Sequence, residues 1–144
     1  TERSQHLMSL GIPLNTDSTL KGQTVFLAER CGELMHDNII TDRTVLDVMA
    51  FTMNARSIPH QDKDAFETYA SEFIREYDYI FYISPHGLEI EDNGVRETDE
   101  HYRDLIDFTI TTLIKRHGHK AGKVEKISGS TEERIQQILN ITNL

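Results

Sequence analysis

An acidic and a basic side chain stand next to each other at Asp42 and Arg43, between segments of different pattern. Residues 38–41 have strand character, and the apolar residues of 44–56 recur at helical spacing. In open α/β sheets, ligands bind outside the carboxyl ends of the strands. A carboxylate there can hold Mg²⁺ through water or orient a hydroxyl, and an arginine fork can grip phosphate oxygens. The structural alternative is that Asp42 caps the helix and Arg43 is a solvated residue of its first turn.

A second acid–base pair, Glu2 and Arg3, opens the chain just before a predicted helix. If it lies at the same edge of the sheet, its carboxylate can orient or deprotonate an acceptor hydroxyl. The alternative is an ordinary pair of solvated surface charges. Asp47, in the helix that follows Asp42, is either solvated or a partner of the site, and nothing local decides between the two.

A polar loop over residues 86–103 combines the turn Asn93-Gly94 with Arg96, and Arg103 follows on the next predicted helix. A glycine-hinged loop that carries arginine can close over a phosphoryl group, exclude water and stabilise transition-state charge. The segment is therefore a predicted lid. The alternative is an acidic surface loop whose arginines pair with neighbouring carboxylates, namely Glu91, Asp92, Glu97 and Asp99.

The elements that would position these residues alternate between helix and strand. Apolar periodicity predicts helices over residues 3–10, 21–37, 44–56, 62–78 and 101–119, and a last one capped by Ser130 and Glu133. Strands are predicted over 38–41, 77–85 and 122–128. Strands separated by helices imply parallel pairing and an α/β layer fold. Three strands make a thin sheet, which two further strands, one ending at Thr1, would complete.

The apolar face of each predicted helix is the predicted core. The inward residues of the second helix are Val25, Ala28, Cys31, Leu34 and Met35. Those of the fourth are Phe66, Tyr69, Phe73 and Ile74. Those of the fifth are Leu105, Ile106, Phe108, Ile110, Leu113 and Ile114.

Length, charge and cysteine content limit the function classes. A chain of 144 residues fits a single domain. A formal net charge of −9 argues against extended nucleic acid as a partner. The single cysteine, Cys31, cannot form an intrachain disulfide, which favours a reducing, cytoplasmic location. No apolar run approaches the roughly 20 residues that span a bilayer, so no membrane partner is expected. Association with further copies of the chain is left open.

One glycine-rich stretch resembles a phosphate-binding loop but is rejected. Residues 118–124 have three residues between the glycines where the Walker A pattern needs four, and Val124 replaces the Mg²⁺-binding hydroxyl. We interpret the stretch as a helix-ending glycine with a basic turn. His117 and His119 are predicted to be surface residues and not metal ligands.

Five segments, taken in order, resemble the P-loop kinase-like ATPase (AAA) family. That family includes the ribosylnicotinamide kinase domain of the bacterial NAD regulator and borders on the deoxynucleoside and thymidylate kinases. The segments are TERSQHLMSLGI, GQTVFLAERCGEL, NIITDRTVLDVMAF, YDYIFYISP and DNGVRETDEHYRDLIDFTI. The resemblance implies one domain over residues 1–144 with a three-layer, nucleoside-kinase-like parallel sheet flanked by helices, lacking the first strand and the P-loop.

The resemblance also implies roles for individual residues, with ATP and Mg²⁺ as cofactors. The implied catalytic residues are Glu2, Asp42, Arg43 and Arg96, of which Asp42 also holds Mg²⁺ through water. The implied ATP contacts are Arg96, Arg103, Ser128, Gly129 and Ser130. The implied contacts to the nucleoside or nucleotide substrate are Arg3, Gln23 and Arg43.

The family's Walker A loop, with its lysine and its Mg²⁺-binding Ser or Thr, is not among these residues. We therefore expect a segment before Thr1 that carries it; a naturally complete chain of these residues would be a defective or non-catalytic relative. Three functions follow as hypotheses: ATP-dependent phosphoryl transfer to a nucleoside, nucleotide or related ribosyl compound; a nucleotide-binding ATPase switch with no small acceptor; and a non-catalytic α/β domain.

Overall fold

The computed structural model describes residues 2–86 and 99–144, and for residues 2 and 3 it describes the backbone alone. The helices in these residues are α1 Glu2–Ser9, α2 Leu20–Glu33, α3 Val45–Met53, α4 His60–Ser71, α5 Glu100–His117 and α6 Thr131–Thr142. The strands are β1 Tyr79–Ile83 and β2 Lys123–Ile127. Short 3-10 turns occupy Asn15–Asp17, Glu72–Glu76 and Gly118–Lys120. The chain is therefore mixed α/β and mostly helical.

The two strands pair in parallel, with Tyr79 opposite Lys123 and Ile83 opposite Ile127. Helix α5 lies between them in the chain, as a parallel connection requires. The predicted strands over 77–85 and 122–128, and their parallel pairing, are confirmed. Gly118 ends α5 and begins the turn before β2, which confirms the interpretation of that glycine.

The prediction of a third strand over residues 38–41 is wrong. Asn38 has a φ of 55°, and Ile40 is 93% exposed. A strand-like composition forms a strand only where a neighbouring strand completes its hydrogen-bond ladder, and the sheet of the described residues contains β1 and β2 alone. Asp42 and Arg43 therefore follow a loop and not a strand.

Helix α3 is the centre of the core. Its residues Val45, Leu46, Met49 and Ala50 are all buried, and α2, α4 and α5 pack around it. A helix that is apolar on nearly every side is stable only when it is enclosed in this way. Cys31 packs at the margin of this core, and burial raises the pKa of its thiol.

The first turn of α3 is closed by a capping box. The Leu46 N–H donates to Thr44 Oγ1 at 3.1 Å, and the Thr44 N–H donates to Asp47 Oδ2 at 2.8 Å. Thr44 is therefore the cap, and the structural alternative that gave this role to Asp42 is wrong. The hydrogen bonds also identify Asp47 as a structural residue, which the sequence left undecided.

Five predicted core residues are exposed, among them Leu105, at 41%. Tyr69 is 64% exposed and Phe108 is 70% exposed, although each continues an apolar pattern. Met35 is 86% exposed because α2 ends at Glu33, and Ala28 is exposed because the buried face of α2 is instead formed by Gly22, Gln23 and Leu27.

Among the helices of the described residues, none combines the length and apolar character needed to cross a bilayer.

A polar cluster joins α4 to the end of α5. Glu67 accepts from Arg116, and His117 Nε2 lies 2.8 Å from Glu67 Oε1. His117 has a side chain only 14% exposed, so the prediction that it is a surface residue is wrong. Burial acts to raise the pKa of Glu67, but the hydrogen bonds from His117 and Arg116 outweigh it and lower the pKa below the ordinary 4.5.

Glu67→Gln is expected to lower the free energy of unfolding by about 1–2 kcal/mol at neutral pH, a modest figure because solvent screens the half-exposed Arg116. A carboxyl whose pKa is lowered by folding stabilises fully above its unfolded pKa of 4.5, and this contribution is lost as the pH falls through the folded pKa. Urea unfolding between pH 7 and about pH 3 measures this. The wild type and the variant should converge at the acid end; Glu76→Gln, at an exposed position, is the control, and a difference that persists at low pH contradicts the account.

Candidate functional site

The turn that carries Asp42 and Arg43 is fixed by side chains on both sides. Arg30 Nη1 donates to the Asp42 carbonyl oxygen at 2.9 Å, and Thr41 Oγ1 donates to the Arg43 carbonyl oxygen at 2.9 Å. Arg43 has a φ of 81°, a left-handed conformation that costs a residue with a side chain about 1–3 kcal/mol. Such strain persists only where the surroundings enforce it, and the two hydrogen bonds do so here.

A groove of about 370 Å³ runs beside this turn, between the end of α2 and the loop before α3. Arg30 forms part of its wall and pairs with Glu33 at 2.9 Å. The remaining lining residues are His36, Ile39, Ile40, Thr41 and Asp42. The groove thus combines carboxylates, an arginine and aliphatic side chains, a set that suits a small polar molecule with an apolar face.

The carboxylate of Asp42 is exposed and, within the described residues, forms no hydrogen bond or ion pair. No group of three or more His, Cys, Asp or Glu side chains in residues 2–86 and 99–144 could hold a metal ion. Mg²⁺ in nucleotide sites is commonly held by one or two carboxylates, with phosphates and water completing its shell. An unpaired Asp42 fits that mode and does not fit a metal site built from protein ligands alone.

The side chain of Arg43 turns toward α3. Its guanidinium carbon lies 5.6 Å from the centre of the Phe51 ring, a cation–π contact worth about 0.5–1 kcal/mol at an exposed position. Arg43 forms no ion pair with a carboxylate of the described residues, although Asp42 is adjacent. In this conformation the guanidinium binds an aromatic face and leaves its planar set of N–H donors for other partners.

A second groove, of about 450 Å³, lies where β2 ends and α6 begins. It is lined by Ser128, Gly129, Glu133, Gln136, Gln137 and Asn140. Ser128 and Gly129 were predicted to contact the cofactor, and they follow the carboxyl end of a parallel strand as that prediction requires. Gly129 has a φ of 96°, and a Cβ there would overlap the Glu133 carboxylate, so the loop needs glycine at this position.

Side chains of α6 hold this loop in place. Gln137 Nε2 donates to the Ser128 carbonyl oxygen at 2.7 Å, and the Ser128 N–H donates to Gln137 Oε1 at 3.3 Å. The Ser130 N–H donates to Glu133 Oε2 at 2.7 Å, and the Glu133 N–H donates to Ser130 Oγ at 3.2 Å. The predicted capping box of Ser130 and Glu133 is confirmed, and Gln137 is an additional support that the sequence pattern did not single out.

The sequence patterns also did not predict a tyrosine–aspartate pair that lies near the carboxyl end of β1. Tyr82, in β1, donates its hydroxyl to Asp107 Oδ1 on α5. Burial, with a further contribution from this hydrogen bond, raises the pKa of Tyr82 to about 12. The signal was an acidic residue, Asp107, directly between Ile106 and Phe108 in the apolar pattern of α5.

Of the other predicted site residues, the structure describes the side chains of Gln23 and Arg103. Gln23 is 4% exposed inside α2, and Arg103 lies in the first turn of α5 with its Nε 3.9 Å from Asp104 Oδ1. Arg96 and most of the predicted lid over 86–103 lie outside the described residues, as do the side chains of Glu2 and Arg3. The expectation that Glu2, Asp42 and Arg96 converge on one pocket stays a prediction.

Comparison of the chain with protein-family models, with curated proteins and with solved structures finds no match.

Proposed function

We propose that this chain belongs to a small-molecule kinase of the P-loop type, which transfers a phosphoryl group from ATP to a nucleoside, nucleotide or related ribosyl compound. The observation that carries the proposal is the Asp42–Arg43 turn. It carries the Asp42 carboxylate, which forms no hydrogen bond or ion pair within the described residues, next to Arg43 in the sequence. Hydrogen bonds from Arg30 and Thr41 hold the turn in a strained conformation. Backbone strain that the surroundings enforce is concentrated at functional sites, because strain elsewhere lowers stability without benefit to function.

The arrangement of the parallel strands supports the proposed ATP contacts at residues 128–130 alone. The Asp42–Arg43 turn leads into α3, whose Val45 N–H donates to the hydroxyl of Tyr77, two residues before β1, at 3.2 Å. Both strands end at the same edge, because Ile83 is paired with Ile127, and the loop at residues 128–130 follows there. Ligands of α/β sheets bind outside the carboxyl ends of the strands. The proposal therefore assigns the adenine to the groove beside this loop and includes the finer three-layer P-loop architecture. It also assigns a cytoplasmic location, which the free thiol of Cys31 supports.

The proposed reaction consists mostly of positioning and charge neutralisation. Mg²⁺, when bound, would supply positive charge that offsets the negative charge of the phosphate oxygens. Asp42 would hold that ion through water, and Arg43 would bind phosphate oxygens with its forked donors. Arg96 would approach the transferred group from the lid, and Glu2 would orient the acceptor hydroxyl. Ser128, Gly129 and Ser130 would contact the adenine end of ATP.

Thermal unfolding of the full-length natural protein with ATP and Mg²⁺ tests the proposal. A ligand at 100 times its Kd adds about 2.7 kcal/mol to the free energy of unfolding, which for a chain of this size is a rise of about 5–10 °C in Tm. Asp42→Asn should remove the part of the rise that depends on Mg²⁺ and keep the part due to ATP alone. Asp64→Asn, at an exposed position on α4, is the matched control.

The outcomes separate the three functions. A further rise in Tm when a nucleoside or riboside is added to ATP and Mg²⁺ supports a kinase. ATP stabilisation with no response to any acceptor indicates an ATPase switch. No response to ATP in the full-length protein overturns the proposal and leaves a non-catalytic α/β domain.

A further inference from the structure

We propose that Phe51 holds Arg43 in a resting position and that a bound polyphosphate draws the guanidinium away from the ring. The inference rests on the proposed function, because it assigns a regulatory step to the same site. It concerns one contact, between Arg43 and Phe51, the seventh residue of α3. The ligand class is an anion with several phosphate oxygens.

The backbone of Arg43 is fixed by hydrogen bonds, whereas its side chain can rotate to a different partner. Arg30 and Thr41 bind carbonyl oxygens of the turn at 2.9 Å each, and the capping box of Thr44 and Asp47 fixes the first turn of α3. The guanidinium forms no salt bridge with a carboxylate of the described residues, although its charge acts to lower the pKa of Asp47 against the larger effect of burial. Any movement of Arg43 is therefore a rotation of its side chain about a rigid base.

Phe51 is a fixed aromatic platform. It is half-buried, packs against the core, and lies with its ring centre 6.4 Å from that of Tyr102. The Arg43 guanidinium carbon is 5.6 Å from the Phe51 ring centre. A ring held in this way does not follow the arginine, so the contact must break when the arginine leaves.

The relative strengths of the two contacts set the direction of the switch. A cation–π contact at a partly exposed site is weak, whereas a bidentate contact between arginine and phosphate is charge-assisted and doubly hydrogen-bonded. The guanidinium should therefore leave the Phe51 ring and bind phosphate when phosphate is present. The aromatic contact lowers the fraction of molecules in which the Arg43 guanidinium is available to phosphate. The apparent Kd for phosphate equals the intrinsic Kd divided by that fraction, so the contact weakens the observed binding.

Phe51→Leu should consequently bind tripolyphosphate more tightly than the wild type by about two- to fivefold. The substitution keeps an apolar side chain of similar bulk against the core and removes the π face. Phe73→Leu is the matched control, because Phe73 is also a half-buried phenylalanine packed on the core and its aromatic partner is Tyr69, 5.4 Å away. Titration calorimetry on the full-length natural protein measures both affinities.

A spectroscopic measurement on the wild type does not depend on how Phe51→Leu folds. The Arg43 side-chain protons should show an upfield ring-current shift in the free protein, assigned by its loss in Arg43→Lys. Saturation with tripolyphosphate should abolish that shift. A shift that persists at saturation, or equal affinities of wild type and Phe51→Leu, overturns the switch alone. If neither tripolyphosphate nor ATP binds to any of these proteins, the proposed function fails, and the switch fails with it.

Discussion

Replacing Glu2 with glutamine is expected to slow phosphoryl transfer by about 10²- to 10⁴-fold, the usual contribution of a positioned general base. Glutamine keeps the size and the hydrogen-bonding capacity of the side chain but cannot accept the proton of the acceptor hydroxyl. Binding of ATP should be unaffected, because the proposed ATP contacts lie elsewhere in the chain. The measurement is the rate of transfer to the acceptor that gives the largest thermal stabilisation, with ATP-induced stabilisation recorded in parallel.

Glu132→Gln, at an exposed position on α6, provides the matched control for Glu2 and should leave the rate unchanged. A rate that is the same in Glu2→Gln and in the wild type would remove Glu2 from the chemistry. A loss of both transfer and ATP stabilisation would instead show that Glu2 supports the structure of the domain. Only a selective loss of transfer agrees with the proposed role.

Gly122→Ala is expected to lower the free energy of unfolding by about 3 kcal/mol, the upper end of the range for overpacking. A Cβ at Gly122 would lie 2.5 Å from the carbonyl oxygen of Asp78, a backbone atom that cannot rotate away. Gly122 also donates its N–H to the Tyr77 carbonyl oxygen at 3.0 Å, immediately before the strands begin to pair. The added methyl group should therefore force the two strands apart at the start of their ladder. Urea unfolding measures the loss.

Gly32→Ala is the comparison that separates steric conflict from a general intolerance of alanine. Gly32 lies within α2, and no atom comes within 4 Å of a Cβ placed there. Alanine is favoured over glycine in a helix by about 0.5–1 kcal/mol, so this variant should be slightly more stable than the wild type. Equal destabilisation by both substitutions would contradict the steric explanation.

Local rules were sufficient for the elements whose signals lie within a few residues. Ser130 and Glu133 form the capping box that their spacing predicts, and the aromatic and β-branched run at Tyr79–Ile83 is a strand. The same rules gave a wrong strand prediction for residues 38–41. A strand needs a neighbouring strand to pair with, and the sequence of the segment does not specify one. The isoleucines at 39 and 40 carry strand propensity and nothing to pair with in the described residues.

The candidate site was less predictable than the elements around it. Sequence spacing marked Asp42 and Arg43 as a pair, but the positive φ of Arg43 and its contact with Phe51 depend on how α2 and α3 pack. The bond between Gln137 and Ser128 likewise requires α6 to return along β2. Periodicity also overestimated the core at Tyr69 and Phe108, since a repeat of apolar residues does not say where the neighbouring helix stops.

The attachment of α6 has a consequence for communication within the domain. None of its residues is buried, and its first two turns are tied to residues 128–130 by the side chains of Glu133 and Gln137. The orientation of α6 is therefore set by hydrogen bonds to a loop and not by a buried apolar interface. A molecule that reshapes the loop must therefore carry the C-terminal helix with it, so occupancy of the groove can be sensed at the far end of the chain.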